Sequence, residues 1–257
     1  TSIEHALRDF HLSGVALDKP NREKFGAIKK RLAELSTRFS NNVLDATQGW
    51  QKLITDATQL SGVPATSLKN YQQAAAAKGL DGYLLTLDIP AYLPVMQYCD
   101  DAKLRAELYC AYTTRASNQG PNAGQWDNSE LMAEILKLRQ KLATLLGFDD
   151  YTDYSLATKM AETSTQVFGF LNDLAEKSLP VARQEFAELQ AYARSLGAED
   201  LQASDVPYYS EKLRLQKYAI SQQELRPYFP AEKVITGMFE ITERLFGLNF
   251  TEQAGFD

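Results

Sequence analysis

The sequence contains only two histidines, His5 and His11, and this shortage excludes most metal-centred and histidine-based chemistry. A helical zinc pair needs histidines four residues apart on one face, whereas a spacing of six rotates the second ring by about 240°. No H-E-x-x-H motif occurs anywhere in the chain. We therefore interpret both histidines as solvated or capping side chains, and we predict neither a catalytic residue nor a complete zinc site in this chain.

Motifs for nucleophilic catalysis and for phosphate binding are also missing. The chain has no Gly-x-Ser-x-Gly elbow, no Gly-x-Gly-x-x-Gly and no Gly-x-x-x-x-Gly-Lys-Ser/Thr. The glycine-rich segment 120–124 lacks the lysine and the preceding strand of a phosphate loop. The sequence therefore offers no independent active site of these kinds.

Cysteine and long apolar runs are scarce as well, and acidic residues outnumber basic ones. Cys99 and Cys110 are too few for a disulfide framework, which favours a reducing compartment, and no secretory signal is visible. A formal net charge of −6 disfavours a nucleic-acid partner. No apolar run approaches the ~18 residues of a membrane span. We expect a cytoplasmic globular protein that binds neither nucleic acid nor membranes.

What the chain has in abundance is helical periodicity. One stripe repeats at intervals of three and four residues and consists of Phe25, Ile28, Leu32, Leu35, Phe39 and Val43. Such a stripe is typical of a helix packed against a core. Further stripes lie within 131–145, 167–174 and 234–245, with capping residues or glycines at their ends. The predicted fold class is mainly α, a multi-helix, bundle-like lobe.

A short region interrupts the helices. Residues 50–56 and 82–88 carry β-branched and aromatic side chains over short lengths, which predicts a small antiparallel β ribbon. Between them a helical pattern ends at Gly79, in a position that favours positive φ. We expect three segments, namely a helical hairpin over 1–48, the ribbon with an inserted short helix over 49–96, and a helical region over 97–257.

Residues 204–214, SDVPYYSEKLR, concentrate aromatic, acidic and basic side chains. One interpretation is that Tyr208 and Tyr209 are half-buried packing residues with hydrated hydroxyls. The other is that they line a cleft for a peptide or another ligand. No usable histidine or metal ligand accompanies them, so neither interpretation makes these tyrosines catalysts. The candidate wall residues are Asp205, Tyr208, Tyr209, Lys212, Arg226 and Tyr228.

Several longer stretches resemble the thimet-oligopeptidase-like zinc metallopeptidases. They are residues 83–96 (YLLTLDIPAYLPVM), residues 114–124 (TRASNQGPNAG), the LLGF and LATKMA segments between 145 and 161, and the Asp-x-x-Tyr-Tyr stretch at 205–209. The resemblance covers essentially the whole chain, and the segment 114–124 is highly specific. These segments are the evidence that the chain resembles that family.

The resemblance implies a mostly helical peptidase with two lobes around a deep, narrow channel that admits short, unstructured peptides. Zinc in this family is bound by the histidines of an H-E-F-G-H motif and by a downstream glutamate, and the motif's own glutamate activates water. None of these residues is present in the sequence. We therefore expect an internal fragment upstream of that motif, which supplies scaffold and channel wall. The full-length protein would be a zinc metalloendopeptidase, whereas this chain alone would be inactive and would hold no Zn²⁺.

The same sequence allows an alternative interpretation, a non-catalytic helical peptide-binding module derived from the same family. The fragment interpretation makes a further prediction about the surface. An apolar face meant for the missing region would be exposed, and the chain would dock to that region or self-associate through it.

Overall fold

A computed structural model describes residues 2–219, 225–251 and 253. The chain divides into two compact units, Thr1–Tyr209 and Ser210–Asp257. The helices and strands in chain order are α1 (Ser2–Leu12), α2 (Lys19–Gly49), β1 (Gln51–Ile54), α3 (Ala65–Ala76), β2 (Tyr83–Thr86), α4 (Ile89–Tyr98), α5 (Ala102–Thr113), α6 (Ser129–Leu145), α7 (Tyr151–Leu156), α8 (Ser164–Ser195), α9 (Val206–Tyr218) and α10 (Ala231–Phe246). Short 3-10 helices occur at Ala57–Leu60, Ala203–Asp205 and Arg226–Tyr228. The predicted mainly helical fold with a small β ribbon is confirmed, whereas the division into three segments stays a prediction.

The long helix α2 begins where Asp18 caps it by accepting a hydrogen bond from the backbone N–H of Asn21, at 2.9 Å. Its apolar stripe packs as the periodicity predicted. Phe25 lies in a buried cluster with Leu142 and Leu146 at the end of α6, and Leu35 is also buried. Burial of side chains of this size stabilises by about 1.5–3 kcal/mol each, so the stripe determines how α2 packs against α6.

The β ribbon is shorter than predicted but has the expected direction. Strands β1 and β2 pair antiparallel, with Gln51 opposite Thr86 and Ile54 opposite Tyr83. Helix α3 lies between them in the chain, and Gly79 follows it at φ +69°. The positive φ predicted for this glycine is therefore confirmed.

The ribbon, α3, α4 and α5 share the main core of the first unit. Leu85, Val95, Met96 and Leu108 are completely buried there. Because α4 and α5 are joined by only three residues, this packing fixes the N-terminal turn of α5. That turn carries the polar cluster described below.

Two of the predicted apolar stripes form helices whose apolar side chains are exposed. In α8 every residue from 168 to 188 is exposed, and the helix continues through Pro180. In the second unit the stripe of α10 is exposed likewise, at Val234, Met238, Phe239 and Leu245. The helices were predicted correctly, but these stripes are not part of a core within residues 2–219, 225–251 and 253.

No helix in the described part of the chain is long and apolar enough to cross a membrane.

Candidate functional site

The candidate site forms around the N-terminus of α5. Asp101 caps this helix by accepting hydrogen bonds from the backbone N–H groups of Lys103 and Leu104, at 2.9 and 3.1 Å. The neighbouring Asp100 is tied to Ser61, because its N–H donates to the Ser61 carbonyl at 2.8 Å and the Ser61 hydroxyl donates to its Oδ2 at 2.9 Å. These bonds hold the residues before α5 against the end of the preceding 3-10 helix.

Arg105, one turn into α5, is the most deeply buried charged residue of this cluster, at 2% exposure. One of its terminal nitrogens donates to the carbonyl oxygen of Cys99 at 2.6 Å, and the other donates to Asp205 Oδ1 at 2.5 Å. Its guanidinium carbon lies 4.1 Å from the centre of the Tyr208 ring, which is a cation–π contact. The arginine therefore joins α5 to the start of α9.

Tyr208 completes the cluster from the first turn of α9. Its hydroxyl donates to Asp100 Oδ1 at 2.6 Å, and its ring lies edge-on to Tyr209, with centroids 5.1 Å apart. Burial, together with the hydrogen bond to the Asp100 carboxylate, raises the pKa of the Tyr208 phenol well above its ordinary value. The phenol therefore stays neutral and remains a hydrogen-bond donor throughout the physiological pH range.

The arrangement is suited to holding the start of α5 and the start of α9 in fixed positions. Arg105 pairs with Asp205, the Tyr208 hydroxyl donates to Asp100, and the Tyr208 ring lies under the guanidinium. Burial raises the pKa of the adjacent Cys99 thiol, which further lowers its reactivity. We call these four residues the α5–α9 clamp.

The structure brings three of the six predicted wall residues together. Asp205 and Tyr208 are buried, and Tyr209 is half-buried beside them. In the second unit Lys212 is half-buried and Tyr228 is 78% exposed. The side chain of Arg226 lies outside the described residues. The wall assignment of all six stays a prediction, and two of its members have their polar atoms engaged inside the protein.

Sequence reasoning missed Arg105 and the role of Asp100. A signal for Arg105 was present, because a cation in the first turns of a helix is disfavoured by the helix dipole. Arg105 also follows Leu104 and precedes Leu108, both of which are buried. An arginine flanked in this way requires a carboxylate partner, but the periodicity does not say which one.

The histidines and acidic residues do not form a metal site in the described ranges. No three His, Cys, Asp or Glu side chains there are grouped to hold a metal ion. His5 is exposed, and His11 Nε2 lies 3.1 Å from the carbonyl oxygen of Leu146, the residue that caps the C-terminus of α6. The interpretation of the two histidines as solvated or capping side chains stays a prediction.

Two apolar grooves lie beside the α2–α6 contact. One has a volume of about 530 Å³ with Ala27, Ile28 and Leu145 among its lining residues, and the other about 370 Å³ with Phe39 and Ile135. Of the predicted wall residues whose side chains are described, none lines either groove.

Comparison with known proteins identifies the class. Residues 95–257 match the family model described as Peptidase family M3. The match covers more than half of the chain and places it among the peptidases. The chain belongs to peptidase family M3, and the predicted membership in a peptidase family of the thimet-oligopeptidase type is confirmed.

The similarity to individual proteins extends beyond the family model. The chain is 52% identical over 257 residues to oligopeptidase A of Escherichia coli (strain K12). The matched stretch covers 100% of this chain and 38% of that protein. Oligopeptidase A of Haemophilus influenzae is also 52% identical over 257 residues, with the same coverage. The organellar oligopeptidase A of Arabidopsis thaliana is 39% identical over 263 residues, covering 98% of this chain and 32% of that protein. The chain thus spans about two fifths or less of the length of these curated relatives.

Proposed function

We propose that this chain is the scaffold and part of the channel wall of a cytoplasmic zinc metalloendopeptidase that hydrolyses short peptides. The observation that carries the proposal is the 52% identity to oligopeptidase A along the whole chain. Identity of this order over the whole chain supports the same fold and the same place in the enzyme. The scarcity of cysteine supports the cytoplasmic location.

The residues of this chain do not fit a zinc site of their own. The two histidines are six residues apart, no H-E-x-x-H occurs in the sequence, and the described residues contain no group of three potential ligands. We therefore propose that zinc is held by the part of the family's polypeptide outside the stretch that matches this chain. By this proposal the isolated chain retains no stoichiometric zinc and does not hydrolyse peptides.

Within the proposed enzyme the clamp and the wall have different tasks. Arg105 and Asp205 are buried against each other and fix where α9 begins. Tyr209, half-buried and packed edge-on to Tyr208, is the member of the first unit that can turn a hydroxyl or a ring face towards a peptide. The clamp would hold this wall residue in position.

The first test compares the isolated chain with a full-length chimaera. In the chimaera this chain replaces the stretch of the Escherichia coli relative that it matches over all 257 residues. We expect the chimaera to cleave a quenched fluorescent peptide, to lose that activity with a chelator and to regain it with Zn²⁺. The isolated chain, dialysed and analysed for metal, should show neither turnover nor bound zinc.

The parent Escherichia coli enzyme is the control for this comparison. Zinc-dependent turnover by the isolated chain would contradict the assignment of a scaffold role. A chimaera that folds but is inactive would contradict the assignment to this enzyme. The alternative of a non-catalytic binding module predicts that the isolated chain alone takes up short peptides with micromolar affinity, which calorimetry would measure.

The second test separates the wall from the clamp by two matched substitutions in the chimaera. Tyr209→Phe should raise KM by about 2- to 10-fold with kcat unchanged, since one hydrogen bond that binds substrate and transition state equally contributes ~0.5–1.5 kcal/mol. Tyr208→Phe should leave KM unchanged and lower the free energy of unfolding by about 1 kcal/mol, because its hydroxyl is bound to Asp100. Steady-state kinetics and urea unfolding measure both. An unchanged KM in Tyr209→Phe would contradict the wall assignment and would leave Tyr209 with a packing role only.

A further inference from the structure

Helix α8 carries an apolar face that is too wide and too exposed to be an ordinary surface. Seven large apolar side chains between 168 and 188 keep 45–66% of their surface exposed: Phe168, Phe170, Leu171, Leu174, Leu179, Val181 and Phe186. Together they present apolar area of the order of several hundred Å² on one helix, a size that marks interaction sites on proteins. We call this set the α8 face.

The α8 face lies on one side of the helix. At about 100° of rotation per residue, its seven members fall within about half of the circumference. The opposite half carries Asn172, Asp173, Glu176, Lys177 and Arg183. Ser178 and Glu185 are polar residues within the apolar half. The helix is therefore amphipathic, with one side that is mostly apolar and one that is suited to water.

The two ends of the helix show what such a face is for. Leu189 and Ala193 continue the same apolar side, and both are buried in the first unit. The side that serves as core at the C-terminal end of α8 thus continues, uncovered, for about five turns towards the N-terminus. A face that is core at one end is expected to be core along its length.

We infer that the α8 face is the docking surface for the part of the M3 peptidase polypeptide that lies outside the stretch matched by this chain. This inference rests on the proposed function. The length of the relatives supports this occupant, because the matched stretch is only 38% of the Escherichia coli protein. The larger part of that polypeptide is therefore available to cover an apolar surface, and the occupant is a protein surface rich in aliphatic and aromatic side chains.

The chemistry of the helix disfavours the other occupants. A second copy of α8 packed helix to helix would cover a narrow seam, whereas this face spans about half of the helix and needs a broader surface. An anionic membrane surface prefers helices with lysine and arginine on the polar face. Residues 168–188 carry four carboxylates and two cations, namely Asp173, Glu176, Glu185 and Glu188 against Lys177 and Arg183.

Thiol labelling of the isolated chain and of the full-length chimaera tests the inference. Leu174→Cys reports on the α8 face, and Glu176→Cys, two residues on and about 200° around the helix, is the matched control. Both are made in a background without other reactive thiols, with the exposed Cys110 replaced by serine. We expect both cysteines to react with a maleimide at similar rates in the isolated chain. In the chimaera the reaction rate of Leu174→Cys should fall by about tenfold or more, while the rate of Glu176→Cys should stay the same.

Oxidative footprinting of Phe170 and Phe186 in the unsubstituted proteins gives the same information without any substitution in α8. Equal labelling of Leu174→Cys and equal oxidation of both phenylalanines in chimaera and isolated chain would overturn the inference. A concentration-dependent dimer of the isolated chain, in which Leu174→Cys is already protected, would overturn it in favour of a second copy. Peptide hydrolysis is measured on the same samples. An active chimaera with an unprotected α8 face refutes the docking surface alone, whereas a folded, protected but inactive chimaera refutes the proposed function alone.

Discussion

Replacing Arg105 with alanine is expected to lower the free energy of unfolding of the chain by about 3 kcal/mol or more. The guanidinium is 2% exposed and donates to both Asp205 and the Cys99 carbonyl. Without it the Asp205 side chain, 12% exposed, is left without its ion-pair partner and with little solvent to stabilise it. The remaining contact with water puts the expected cost at the lower end of the range of about 3–5 kcal/mol found when a buried pair loses one partner.

Arg31→Ala is the matched control for this experiment. Arg31 also pairs with a distant carboxylate, Glu134, at 2.7 Å, but the two side chains are 46% and 41% exposed. Exposed ion pairs contribute little to stability, because water and salt screen them. Urea unfolding followed by circular dichroism should therefore separate the two variants clearly, and equal losses would mean that the clamp does not stabilise the fold.

A double substitution tests the reason for the loss and not only its size. Arg105→Met combined with Asp205→Leu removes both charges and keeps much of the apolar volume. Because the cost of Arg105→Ala comes mainly from a carboxylate left buried without its partner, the double variant should recover most of the lost stability. Arg105 Nε has no hydrogen-bond partner among the described residues, which further reduces what the native pair contributes. A double variant as unstable as Arg105→Ala would show that packing around the arginine, and not charge, dominates.

The clamp also shows where prediction from the sequence stopped. The stripe of α2 and the strands of the ribbon depend on neighbours three or four residues apart or on alternation, so their patterns are visible in the chain itself. Arg105 and Asp205 are 100 residues apart, and Tyr208 and Asp100 are 108 apart. No local pattern specifies which carboxylate meets which donor at such distances. The sequence therefore indicated that the segment around Tyr208 is unusual, but it did not indicate that Asp100 and Arg105 are its partners.

Helix α8 illustrates a different limit. Its periodicity predicted an apolar stripe correctly, yet periodicity cannot say whether the surface that covers the stripe belongs to the same compact unit. Proline inside a helix usually kinks or ends it, but α8 continues through Pro180. The loss of the Pro180 N–H leaves a carbonyl one turn earlier without its usual donor. Because residues 168–188 are all exposed, water can satisfy that carbonyl.

Gly62→Ala is expected to lower the free energy of unfolding by about 2–5 kcal/mol, for two reasons that add. Gly62 has φ +86°, a left-handed conformation that costs an L-residue about 1–2 kcal/mol. A Cβ at this position would also overlap the backbone carbonyl oxygen of Tyr98 and would lie 3.2 Å from the Asp100 carboxylate. The backbone before α5 would have to move away from Ser61, which weakens both hydrogen bonds between Ser61 and Asp100.

Gly79→Ala separates the two reasons. Gly79 has a similar φ of +69°, but an added Cβ there meets no heavy atom of the described residues within 4 Å. This control should therefore cost only the conformational part, about 1–2 kcal/mol. The difference between the variants measures the steric term at the base of the clamp. If Gly62→Ala also weakens the Tyr208–Asp100 hydrogen bond, a second substitution of Tyr208→Phe should cost less in that background than in the wild-type chain. Equal losses for the two glycine variants would show that the loop accommodates the added Cβ of Gly62→Ala without strain.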